Sequence, residues 1–81
     1  MSVEEIFKIV RDLVAEQFAI DPAEVSMDTH LEDDLNADSV DLADLTIALE
    51  EELGLAEVEL EEFTGIATVG DVVNFCAAQL K

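Results

Sequence analysis

In three separate stretches of this chain, apolar residues recur every three or four positions. That period is helical, and nothing along the sequence reads as a strand, so the chain is constrained to be all-α. Val3, Ile6, Phe7, Val10, Leu13 and Val14 form the first stripe. Ser2, with Glu5 three residues later, makes a capping box in front of it and predicts a helix from Val3 to Gln17. The second helix is expected from Ser39 to Leu53, stopped by Gly54. A short helix follows around Leu60 to Phe63, ending near Gly65. Thr68 and Asp71 cap the last helix, whose buried stripe is Val69, Val72, Val73, Cys76 and Leu80. The 81 residues, 51% of them apolar, are enough for a single domain over 1–81. The expected fold is a small four-helix bundle of three main helices and one short one.

A long connection, Ile20 to Ala37, separates the first two helices. Asp21 and Pro22 have the chemistry of a cap and a first helical residue, which predicts a short turn there. Ile20, Val25, Met27, Leu31 and Leu35 are spaced through the rest. A connection this long is expected to pack, and these residues are the ones to pin it to the core.

Charge restricts what such a chain can meet. Twenty-one acids face three bases, for a formal net charge of -18. A surface of that sign repels nucleic-acid phosphates and anionic membranes, and attracts basic partners or cations. The charge is also unevenly spread. All three bases (Lys8, Arg11 and Lys81) lie near the ends, while Leu31 to Phe63 holds thirteen acids and no base. Acidity alone also keeps a small protein in solution, but this asymmetry points to a partner-facing surface. Cys76 is the single cysteine, which excludes an internal disulfide and a multi-cysteine metal site. No apolar run approaches membrane-spanning length and the start reads as a capped helix rather than a leader. The expected setting is therefore cytoplasmic, without membrane insertion.

The second helix carries two apolar faces. At about 100° per residue, Leu42, Leu45, Thr46, Leu49 and Leu53 share the core face. Val40 and Ile47 fall nearly opposite, with Ala43 to one side. Asp44 and Glu51 lie on the outward face, and Glu50 nearby. A surface helix of a small bundle cannot bury both sides, so Val40 and Ile47 are expected to be exposed. Single exposed apolar residues are ordinary. An apolar spot rimmed by carboxylates, however, is the composition of a docking site for a basic partner.

Asp38 and Ser39 stand where the connection meets that helix. Both are preferred helix caps, and by position alone they are a cap. The same place offers free amide hydrogens and the positive end of a helix dipole, which suit a phosphate group.

The run Asp34-Leu35-Asn36-Ala37-Asp38-Ser39-Val40-Asp41, continuing to Ala48-Leu49-Glu50-Glu51-Glu52-Leu53, resembles the acyl carrier proteins. So does Ile66-Ala67-Thr68-Val69-Gly70-Asp71 before the last helix, and the likeness extends over nearly the whole chain. The resemblance implies that Ser39 takes 4'-phosphopantetheine from coenzyme A by the action of a phosphopantetheinyl transferase, with Asp38 assisting through the transferase's magnesium ion. It implies that the arm's thiol holds acyl groups as thioesters. Val40, Asp41, Ala43, Asp44, Ile47, Glu50 and Glu51 would then face basic-surfaced acyl synthases, reductases and transferases. The carrier is expected to be a monomer and not itself an enzyme. Four positions depart from the family's pattern: Asn36 for glycine, Val40 for leucine, Val58-Glu59 for Ile-Pro, and one extra residue near Ala56. They leave open whether the carrier serves fatty-acid synthesis or a specialised polyketide, peptidyl or aminoacyl pathway.

Three other readings are weaker. Asp34, Asn36 and Asp38 alternate like the start of a calcium loop, but Ser39 stands at the position needing glycine and Leu45 at the one needing glutamate. An acidic inhibitor or nucleic-acid mimic is compatible with the charge but does not require a serine at a helix start. An enzyme lacks a base near a nucleophile: His30 is a loop residue, and Cys76 lies on the core face.

Overall fold

The computed structural model describes residues 2–55 and 65–80. The expected short helix at Leu60 to Phe63, and the departures near Ala56 and Val58, lie outside them. Among the described residues there are three α-helices: α1 (Val3–Phe18), α2 (Ser39–Leu53) and α3 (Val69–Gln79). A 3-10 turn, Pro22–Glu24, interrupts the connection between α1 and α2. The described residues contain no strand, only one isolated antiparallel bridge between His30 and Thr68.

Each helix starts where its cap predicts. The Ser2 hydroxyl accepts the Glu5 N–H at 3.2 Å, and the Thr68 hydroxyl accepts the Asp71 N–H, also at 3.2 Å. The Asp21 carboxylate caps the 3-10 turn through the Ala23 N–H. Stops are less uniform. Gly54 ends α2 in the left-handed region at φ 64°, where glycine meets no steric penalty. Ala19 ends α1 in the same conformation at φ 55°, and so α1 runs one residue past the expected Gln17.

The helices bury one continuous core. Ile6, Val10 and Val14 of α1 meet Leu45 and Leu49 of α2 and Val69, Val72, Val73 and Cys76 of α3. α1 packs against both other helices. The connection is pinned as expected by Val25 and Leu31, which are buried, while Ile20 and Leu35 are half-buried against the core. Other positions expected inside are not fully so: Val3, Leu80 and Met27 are exposed, and Phe7, Leu13 and Leu42 are half-buried. Val3 and Leu80 stand at the outer ends of their stripes, and Leu42 stands at the edge of the core face.

Backbone hydrogen bonds staple the connection to the start of α3. Leu31 N–H donates to the Ala67 carbonyl at 3.0 Å, Val69 N–H to Thr29 at 2.9 Å, and Gly70 N–H to Met27 at 2.9 Å. Gly70 has to be glycine here, because a Cβ would lie 2.9 Å from the Met27 carbonyl oxygen. Asp71 completes the staple by accepting from the Ala67 and Thr68 N–H groups. Those bonds hold its carboxyl below the ordinary value of 3.8. Their stabilisation is present above that value and is lost as the pH falls below it.

Cys76 is buried in this core, and desolvation pushes its thiol up from 9.0 to about 11. The neutral thiol is the form the core accepts. The resulting stabilisation is complete below pH 9 and is lost as the pH rises towards 11. The thermal midpoint of the wild type should therefore fall more steeply than that of Cys76→Ala between pH 9 and pH 11. Parallel pH curves for the two proteins would show that the thiol does not titrate in the fold.

Candidate functional site

The start of α2 is built from the last turn of the connection. Ala37 N–H donates to the Leu31 carbonyl at 2.9 Å, closing a loop whose two ends are buried. Asn36 lies inside that loop at φ 56°. This is the left-handed region, which favours glycine and tolerates asparagine. The substitution of Asn36 for the family's glycine thus keeps the turn.

Asp38, not Ser39, is the cap. Its carboxylate accepts the Asp41 N–H at 2.9 Å, and the Asp41 carboxylate accepts the Asp38 N–H at 3.2 Å, a reciprocal capping box. The Asp38 carbonyl accepts the first helical N–H, from Leu42, at 3.0 Å. Ser39 is therefore the first helical residue. Its side chain is exposed, and its hydroxyl makes no hydrogen bond to any described residue. The Ser39 and Val40 amides likewise have no partner among the described residues. A free hydroxyl beside two free amides at the positive end of a helix fits a phosphodiester. Among the described residues no group of three or more acidic, histidine or cysteine side chains is placed to hold a metal ion.

One further contact reaches this turn from outside it. Near the end of α1, the Gln17 side-chain amide donates to the Asp41 carbonyl at 2.6 Å, in a part-buried position. Asp41 is half-buried and is engaged through its carboxylate, its N–H and its carbonyl. Nothing in the sequence signals the Gln17 bond, because its acceptor is a backbone atom 24 residues away. The capping role of Asp41 was readable, as the Asp38-x-x-Asp41 spacing is that of a capping box.

Down the helix, the two faces separate as expected. Leu45, Thr46, Leu49 and Leu53 are buried. The Thr46 hydroxyl is satisfied internally by the Leu42 carbonyl at 2.8 Å. On the other side, Val40 is 65% and Ile47 54% exposed. Asp44 and Glu51 are exposed beside them, and Ala43 and Glu50 are half-buried. Ser39 therefore opens a surface on which two bare apolar side chains alternate with carboxylates. His30 is exposed in the connection, with its backbone bridged to Thr68 and its ring Nδ1 3.8 Å from an Asp34 carboxylate oxygen.

Residues 8–76 match the family model described as the phosphopantetheine attachment site. The chain is 44% identical over 76 residues to an acyl carrier protein of Clostridium acetobutylicum, covering 94% of this chain and 97% of that one. It is 44% identical over 79 residues to an acyl carrier protein of Prochlorococcus marinus, covering 98% of each. The solved structure of an acyl carrier protein from Enterococcus faecalis is similar with a TM-score of 0.78 at 32% identity, over 98% of this chain and 99% of that one. An all-helical frame, a phosphate-compatible turn and relatives of this kind together make the chain a member of the acyl carrier protein family, carriers rather than enzymes, which bear phosphopantetheine and work with a phosphopantetheinyl transferase and acyl-handling enzymes.

Proposed function

We propose that Ser39 is the residue that carries the arm, and that the exposed face of α2 presents the cargo to partner enzymes. The observation that carries this reading is the division of labour at the helix start. Asp38 takes the capping role, and the Ser39 hydroxyl is left exposed and uncommitted. In the transfer, the Ser39 oxygen forms a bond to the phosphorus next to the pantetheine of coenzyme A. The pyrophosphate link breaks, the nucleotide portion leaves, and the hydroxyl proton passes to the transferase or to water. The Ser39 and Val40 amides then face the new phosphodiester. Asp38 stands beside it, with one oxygen committed to the cap, in the place from which it would help hold the transferase's magnesium ion.

On the partner face, Val40 and Ile47 supply apolar contact, while Asp44 and Glu51 steer basic surfaces of synthases, reductases and transferases. Asp41, Ala43 and Glu50 border the patch. The charge of -18 favours fatty-acid or polyketide cargo over peptidyl or aminoacyl cargo, in a carrier that acts as a cytoplasmic, single-domain monomer. Among the described residues no helix is long and apolar enough to cross a membrane.

Two experiments test these readings. Digestion of the loaded protein, followed by mass mapping of the peptides, should place the arm on the fragment containing Ser39; an arm on another fragment ends the assignment. Asp44→Lys and Glu51→Lys should each lower a partner's kcat/KM by about 5- to 10-fold at low salt, less at high salt, with helical content unchanged. Unaltered turnover with both variants means that this face is not the interface.

A further inference from the structure

We propose that Gln17 is a positioning residue for arm attachment: its hydrogen bond to the Asp41 carbonyl fixes the first turn of α2 on α1, and with it the direction in which the Ser39 hydroxyl is presented. The proposal rests on the reading of Ser39 given above.

The geometry makes the first turn of α2 a rigid block held from one side. Asp38 and Asp41 lock each other through the capping box, so Ser39 and Val40, which lie between them, move with that box. The box itself stands at the end of a long connection, whose last buried anchor is Ala37. The Ser39 side of the helix is solvent-facing, since Asp38, Ser39 and Val40 are all exposed. Packing holds this turn less firmly than the turns carrying Leu45 and Leu49: it reaches the core only through the half-buried Leu42, whereas those two are fully buried. Gln17 adds a tether on the side of the reacting residue's own turn. At 2.6 Å and part-buried, its bond joins the last turn of α1 to the carbonyl of the residue that closes the box.

The consequence is specific to the reacting atom. Small errors in the placement of a nucleophile cost rate even where binding is intact. Of the docking residues, Val40 shares the tethered turn, whereas Asp44, Ile47 and Glu51 lie further along α2, beyond the capping box. Loss of the Gln17 bond should therefore slow arm transfer more than it weakens docking.

The test is single-turnover transfer of phosphopantetheine, with transferase varied up to saturation, on full-length protein well below its melting temperature. Gln17→Leu is expected to lower the saturating rate by about 3- to 10-fold, with the half-saturating transferase concentration within about twofold of wild type. Gln17→Lys, which restores a donor of similar reach, is expected to recover most of the rate. If circular dichroism shows Gln17→Leu unfolded, Gln17→Met fills the same space without a donor and carries the same expectation. A folded donor-less variant that reacts at the wild-type saturating rate overturns the proposal, and so does a Gln17→Lys variant no faster than it. A wild type that takes no arm at Ser39 defeats instead the reading on which the proposal stands.

Discussion

Ser39→Ala is expected to abolish arm attachment while leaving the fold untouched. The hydroxyl has no hydrogen bond to lose among the described residues, and it is exposed at the first position of α2. Alanine is the best helix former, so stability should change by no more than about 0.5 kcal/mol. Asp38→Ala provides the contrast. It removes the carboxylate that accepts the Asp41 N–H, and loss of such a cap costs about 1 kcal/mol. Thermal unfolding of the two variants separates the roles. An Asp38 variant as stable as wild type, beside a destabilised Ser39 variant, would mean that the serine is the cap.

Leu45→Ala should have the largest effect on stability. Leu45 is fully buried on the core side of α2, in the cluster shared with α1 and α3. Truncation removes buried apolar surface and leaves a cavity, at a cost of about 2–5 kcal/mol. A domain of this size has a total stability of roughly 4–12 kcal/mol. The substitution therefore removes a large share of it, and leaves a chain carrying many uncompensated acids close to unfolding. Urea denaturation should show a lower midpoint with a similar slope. The opposite face supplies the control: Ile47→Ala, at a residue 54% exposed, should shift the midpoint little and weaken partner turnover instead. Equal shifts for the two would erase the distinction between core face and docking face.

The three described helices and the exposed apolar and acidic face of α2 were legible in the sequence because each is a property of one segment. Caps at Ser2, Thr68 and Gly54 are local chemistry, and the opposition of Val40 and Ile47 to Leu45 and Leu49 is arithmetic on a single helix. What could not be read is what one segment does to another. The left-handed end of α1 at Ala19 has no stop signal. The close approach of Gly70 to Met27 depends on the connection folding back against α3. The tether from Gln17 ends on a backbone atom, which carries no sequence identity. Val3 and Leu80 fit their stripes by spacing and are nonetheless exposed, because periodicity gives a direction around a helix and not the distance over which a neighbour extends.

Ser39 shows the same limit from another side. Position alone made it half of a capping pair, and the resemblance made it the attachment site. The structure separates the two residues by giving the cap to Asp38. The most direct measurement of the account is the intact mass of the protein after incubation with coenzyme A, magnesium and a broad-specificity phosphopantetheinyl transferase. A gain of one phosphopantetheine in the wild type, and none in Ser39→Ala, is the predicted result. An unmodified wild type beside a modified control carrier, or a Ser39→Ala variant that still gains the arm, would contradict it.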